Sequence, residues 1–132
     1  MSQFIALLST GKGSWAEVAG LLNKDEFDEV FLLTNSFGKD KFTNLPDKKV
    51  EIFVFDFDKE VELLTKDFVS ALKNEVKFGD VAINISSGDG KQHMALISAL
   101  LKLGVGLRFV TIQGGVVKEL TPHMDFDTGK MV

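Results

Sequence analysis

The sequence predicts an α/β protein, a three-layer sandwich in which a mainly parallel sheet lies between two helical layers and ends in an antiparallel C-terminal hairpin. Three observations carry this. Short apolar runs rich in Val, Ile, Leu and Phe alternate with segments of helical periodicity, the pattern of a parallel sheet covered on both faces. Two of those runs, Gln3 to Leu8 and Val81 to Ile85, each lead into a cluster of Ser, Gly and Lys and then into a helix. Finally, the last two apolar runs flank Gln113-Gly114-Gly115, a tight-turn signature between antiparallel strands. With 132 residues, 45% of them hydrophobic, the chain is expected to form one domain over 1–132 with a real core.

The elements follow in order. Gln3 to Leu8 is a strand, and Ser9 to Ser14 is a turn. A helix runs from Trp15 to Leu22, with Ser14 as N-cap and Glu17 three residues on, the spacing of a capping box. Glu29 to Thr34 is the next strand. Asn35 to Asp47 reads as a polar loop with a short helical turn near Asp40 to Thr43, and Val50 to Phe55 as a strand. Val61, Leu64, Phe68, Leu72 and Val76 recur every three or four residues, which predicts a helix over Lys59 to Val76. After the strand Val81 to Ile85 comes a helix over Lys91 to Leu103, ended by Gly104 at the C′ position. Val105 to Ile112 and Val116 to Leu120 form the hairpin, and the last ten residues carry no clear pattern.

Composition narrows the function. A net charge of −4 argues against nonspecific binding of DNA or RNA, which relies on a basic face. The absence of cysteine removes disulfides, thiolate catalysis and the usual zinc sites. Phe4 to Leu8 is too short for a signal-peptide core, and no run approaches the roughly 20 apolar residues of a membrane span. A cytoplasmic protein that does not contact membrane is expected.

If the sheet winds outward from its centre, the first and fourth strands are neighbours and ligands bind beyond their carboxyl ends. The two Ser/Gly/Lys loops, Ser9 to Ser14 and Ser86 to Lys91, then face one crevice. Helix N-termini offer unpaired amides and the positive end of the peptide dipole, and Lys91 adds a charge expected to be exposed beside them, so the crevice suits an anion. Neither loop carries the third glycine of G-x-G-x-x-G. The triphosphate loop also fails, because Ile85 stands five residues before Gly90 and Gln92 follows Lys91. No cofactor and no metal site are expected.

The order of an apolar strand, Asn84, Ser86, Ser87, Gly88, Lys91 and then Met94-Ala95 on a helix resembles the signature of CRISPR-associated Rossmann-fold (CARF) domains, approximately N-x-(S/T)-G-G-(T/S)-K-x-M. The first loop agrees, since these domains also place Ser/Thr and glycine after strand one. Ser87 stands where the pattern has its first glycine, and Lys91 falls one residue late. The resemblance implies a Rossmann-like fold, a homodimer, and binding of cyclic oligoadenylates, ring-shaped messengers of type III CRISPR antiviral defence, across the two-fold. Some members also act as metal-independent ring nucleases, in which a ribose 2′-hydroxyl attacks its own phosphate and leaves a 2′,3′-cyclic phosphate. Applied here, it implies ligand contacts from Ser9, Thr10, Gly11, Lys12, Gly13, Asn35, Ser86, Ser87, Gly88, Asp89, Gly90 and Lys91, and catalytic roles for Lys91, Ser9 and His93. The alternative is a Rossmann-like module for another phosphate-bearing ligand, or the sensor part of a longer effector or regulator.

Plainer readings stand beside these. Ser87 and Asp89 suit turn and capping duty, and Ser9, Thr10 and Ser14 either bind phosphate or close their turn. His93 is a candidate proton-transfer group, yet a single histidine in a first helical turn also serves structure. Asn35 either lines the site or stays outside it. Trp15 is expected to pack at its helix start, and Asp56 and Asp58 to cap the helix that follows them.

Overall fold

The computed structural model describes residues 2–9, 15–24, 26–41, 49–77, 79–120, 124–125 and 130–131. The expected Thr10 to Ser14 part of the first loop, including the Ser14 cap, lies outside the described residues. Strands β1 (Gln3–Leu8), β2 (Glu29–Thr34), β3 (Lys49–Val54), β4 (Asp80–Asn84), β5 (Gly106–Gln113) and β6 (Val116–Glu119) form one sheet in the order β3-β2-β1-β4-β5-β6. All pairings are parallel except β5 with β6. The fold is therefore the mainly parallel, Rossmann-like α/β sandwich with an antiparallel edge hairpin that the sequence predicts. Strands β1 and β4 are neighbours at the switch point.

The unbroken apolar strands have a direct cause. Every residue of β1 and β2 is buried, and successive side chains enter opposite layers. Ile5, Leu7, Phe31, Leu33, Val81 and Ile83 pack under α3 (Val61–Leu72) and α4 (Gly90–Lys102), meeting Leu64, Phe68, Leu72, Leu96 and Leu100. Phe4, Ala6, Leu8, Val30, Leu32 and Ala82 turn to the other face, against Trp15, Val18, Leu21 and Leu22 of α1 (Trp15–Asn23). At about 1.5–3 kcal/mol for each fully buried large side chain, these two layers supply most of the drive to fold. Trp15 is packed at its helix start as expected, only 8% exposed.

Polar groups close the amino end of the strands. Gln3 Nε2 donates to Glu29 Oε1 at 2.9 Å and to the Glu75 carbonyl at 2.8 Å, while its Oε1 accepts from the Lys77 amide at 2.9 Å. One buried amide thus ties β1 to β2 and to the chain leaving α3.

Three expectations need correction. Residues Ser36–Lys41 form a helix, α2, where a loop with a later turn is expected. Asn35 starts it: its Oδ1 accepts from the Gly38 amide at 2.9 Å and its carbonyl from the Lys39 amide at 3.0 Å, a cap that offsets the poor helix propensity of Ser-Phe-Gly. Helix α3 is shorter than the periodicity suggests, because residues 73–76 close into turns on Val69 and Leu72. Neither Asp56 nor Asp58 caps it. Glu60 occupies the N-cap without a side-chain bond, and Asp56 Oδ1 instead accepts from the Asp58 amide at 2.9 Å in a local turn.

The remaining boundaries move by a residue or so. Gly104 has φ +78° just past α4, and the β5–β6 turn has positive φ at both Gly114 and Gly115, the geometry that twisted hairpins favour. In the tail, β7 (Met124–Asp125) pairs with β8 (Lys130–Met131). Among the described residues no helix is long and apolar enough to cross a membrane.

Candidate functional site

Parallel strands bring their carboxyl ends to one edge, and there Ser9, which follows β1, lies beside the loop after β4. Ser87, only 1% exposed, holds them together, because its Oγ accepts from the Ser9 amide at 3.1 Å. His93 reaches back from α4, and its Nε2 lies 2.7 Å from the Ser87 carbonyl, which requires the Nε2–H form. Gly88 is required between them. Its φ is +105°, and a Cβ there would stand 2.9 Å from His93 Nε2 and 3.0 Å from Gln92 Oε1.

Helix α4 begins with a complete capping box. Asp89 Oδ1 accepts from the Gln92 amide at 2.8 Å, and Gln92 Oε1 accepts from the Asp89 amide at 3.2 Å. These bonds occupy part of the donor set that an unmodified helix N-terminus would present to an anion. Among the described residues the first-turn amides of Gly90 and Lys91 make no such bond.

Lys91 departs from the exposed, free-standing charge expected of it. It is half-buried, and its Nζ donates to the carbonyls of Phe57 at 2.7 Å and Lys59 at 3.0 Å. The lysine thereby latches α4 to the loop between β3 and α3. That loop is held from below by the Phe57 ring, buried in the core, and from outside by the pair of Lys59 Nζ with Asp67 Oδ2 at 2.8 Å. Asp67 beside it raises the ammonium pKa of Lys59.

Around these groups lies a cleft of about 370 Å³ lined by Ser9, Asn35, Phe57, Asp58, Gly88, Asp89, Lys91 and Gln92. Five of the expected residues meet there: Ser9, Asn35, Gly88, Asp89 and Lys91. Four others, Ser86, Ser87, Gly90 and His93, do not line it. Ser86 faces away, its Oγ donating to Asn84 Oδ1 at 2.5 Å, Ser87 is buried behind the wall, and Gly90 is exposed at the start of α4 beside it. Thr10, Gly11, Lys12 and Gly13 lie outside the described residues. His93 acts from behind the wall as a loop anchor, so the geometry favours its structural reading.

Phe57, Asp58 and Gln92 were not anticipated. Gln92 had a visible signal, since Asp89-Gly90-Lys91-Gln92 has capping-box spacing; Phe57 and Asp58 join only through the strand order. A second hollow, about 480 Å³, continues the cleft over Asn35, Phe37, Val54 and Asp56. In electrostatic balance the described cleft wall sets one ammonium, Lys91, against the carboxylates of Asp58 and Asp89. It can grip one phosphate through Lys91 and the free amides, provided the ligand keeps its other charges away from Asp58.

A hollow of about 560 Å³ between α3 and α4 is a different kind of surface. Val61, Val69 and Met94 share its lining with Glu62, Lys66, Ser70, Ser98 and Lys102; Lys66 pairs weakly with Glu62 at 3.9 Å, and Thr65 Oγ1 bonds back to the Val61 carbonyl. Among the described residues no group of three or more His, Asp or Glu side chains could hold a metal ion. Compared with known proteins, the chain matches no family model and no curated sequence.

Proposed function

We propose that this chain is a CARF-type receptor for cyclic oligoadenylate that works as a homodimer, each copy offering its switch-point cleft to one side of the ring. The carrying observation is the meeting of Ser9, Asn35, Gly88, Asp89 and Lys91 around one cleft at the β1/β4 ends. A ring with rotational symmetry matches a two-fold pair of such clefts, whose interface is isologous. In this reading a ring phosphate draws Lys91 Nζ from the carbonyls of Phe57 and Lys59 and sits over the Gly90 and Lys91 amides. Ring cleavage is a further proposed activity. Lys91 stabilises charge on the phosphate and Ser9 helps place the ribose, so that the oriented 2′-oxygen bonds to its phosphorus as the P–O5′ bond breaks; the 2′-hydroxyl proton passes to solvent and the departing 5′-oxygen takes one from solvent.

Calorimetry with cyclic tetra- and hexa-adenylate against ATP, AMP and NAD tests the binding claim. A ring should bind preferentially, and Lys91→Ala should weaken it by about 1.5–3 kcal/mol. Unchanged affinity removes Lys91 from the site. Light scattering should give a dimer, and a monomer at micromolar concentration with and without ring counts against the reading. For cleavage, cyclic tetra-adenylate incubated in EDTA should yield linear products with 2′,3′-cyclic phosphate ends, and intact ring reduces the proposal to binding.

A second reading rests on the capping box and the Lys91 latch, both of which commit site groups to the protein's own backbone. It makes the chain a Rossmann-like module for a different, singly phosphorylated ligand. Tighter binding of AMP than of either ring would select it.

A further inference from the structure

On the far side of the β4–α4 loop lies a hollow of about 350 Å³ between β4, β5 and α1, lined by Glu17, Asn84, Ser86, Thr111, Ile85 and Leu120 among others. Its polar groups form one ordered cluster. Asn84, 3% exposed, is fully committed: Nδ2 donates to Glu17 Oε2 at 2.6 Å and to the Val110 carbonyl at 2.8 Å, while Oδ1 accepts from the Ser86 amide and hydroxyl. Thr111 Oγ1 also donates to Glu17 Oε2, at 3.0 Å. Both bonds fall on one carboxylate oxygen. Among the described residues Glu17 Oε1 accepts nothing.

The hollow therefore has unused acceptor capacity and no matching donor, since the Asn84 amide protons and the Thr111 proton are taken. A carboxylate rejects phosphate. What it accepts is an N–H or O–H donor, and the surrounding walls are apolar, with Ile85 38% and Leu120 59% exposed. A flat, largely apolar body carrying an amine meets both demands. The volume lies at the small end of ligand pockets, roughly 300–1,000 Å³. Its position matters as well: Ser86 lines this hollow while Gly88 and Asp89 line the cleft, so a single short loop separates the two.

We propose that this hollow is a nucleobase subsite, in which an adenine places its exocyclic amine on Glu17 Oε1 and its ring between Ile85 and Leu120 while its phosphate is held across the loop in the cleft. Taking adenine as the base rests on the ring-binding reading. Glu17 then determines specificity, and the Asn84 and Thr111 hydrogen bonds orient its carboxylate.

The test compares cyclic tetra-adenylate with the corresponding ring of purine riboside, which lacks the amine, on the wild type and on Glu17→Gln. The Gln carbonyl can keep the bonds from Asn84 and Thr111, which turns an NH₂ group toward the hollow. Wild type should prefer the amine-bearing ring by roughly tenfold to a hundredfold, as for a hydrogen bond to a charged group, and Glu17→Gln should abolish that preference with little change in melting temperature. Equal affinity of the two rings for wild type overturns the subsite and leaves ring binding standing. If neither ring binds, the ring reading fails by itself. AMP and purine riboside monophosphate then decide the subsite by amide shifts at Asn84 and Thr111: shifts with AMP alone that Glu17→Gln removes uphold it, and none overturns it. Should Glu17→Gln fail to fold, Leu120→Ala replaces it, expected to weaken both rings equally and leave the wild-type preference intact; a changed preference overturns the assignment to Glu17.

Discussion

The two ends of the parallel sheet use similar residues in opposite ways. At the amino end, the buried Gln3 amide bonds to Glu29, Glu75 and Lys77, and the strands are sealed. At the carboxyl end, Lys91, Asp89 and Asn35 also bond to the protein, but from the rims of open hollows, where a ligand can compete for them. The lesson is that hydrogen-bond satisfaction alone does not decide whether a polar group is within a ligand's reach. What differs between the two ends is whether the bonded group borders an open hollow.

This contrast can be broken by substitution. The largest stability loss should come from the sealed end. Gln3→Ala leaves the Lys77 amide and the Glu75 carbonyl without their partner, which should cost about 3 kcal/mol in urea unfolding with ring affinity unchanged. A loss below about 1 kcal/mol would mean that water replaces Gln3 and that the end is not sealed.

Gly88→Ala should come next, at about 2 kcal/mol, because it forces a side chain into positive φ and against His93 and Gln92. Unlike Gln3→Ala, it should also abolish ring binding. Retained binding would place the ligand away from the β4–α4 loop.

Asp89→Ala removes the capping box and should cost about 1 kcal/mol. Because the Gln92 amide is then free for an anion, added sulfate should restore part of the loss, and the absence of any such rescue would argue against anion binding at this helix start.

Lys91→Ala should cost under about 1 kcal/mol of stability, since its two carbonyl partners lie in a half-open loop that water reaches. Hydrogen exchange should nonetheless quicken over residues 57–60. If it does not, the latch holds nothing.

The smallest effect should come from the exposed Lys59–Asp67 pair, which salt screens. The partner raises the Lys59 pKa above its ordinary 10.5, so any contribution is present below that pH and is lost as pH rises through the raised value. Lys59→Ala should leave stability at neutral pH unchanged within error in thermal melts.

Much of this was legible in the chain. The continuous apolar runs of β1 and β2, the three-and-four spacing in α3, and Gly104 and Gly114-Gly115 at their turns each report a local rule that tertiary context leaves in force. Where local and long-range effects compete, reading fails. Helix α2 was hidden because Ser-Phe-Gly is a poor helix former, and its support is tertiary: the Asn35 cap, the close packing of Gly38 on Thr34 and the Phe37 ring against Trp15. Asp56 and Asp58 look like caps by position, but the chain turns locally before α3 begins.

The sequence by itself determined the sheet-and-helix alternation and the Ser/Gly/Lys clusters that follow two of its apolar runs, because periodicity and turn chemistry act over a few residues. Only the tertiary structure decided where the polar side chains end. Lys91 reaches carbonyls more than 30 positions away, and Glu17 meets Asn84 and Thr111 across separations of 67 and 94. Such partners are set by which strands lie side by side and which helix covers them. A buried or half-buried polar group takes the nearest satisfying partner in space, and distance along the chain does not enter that choice.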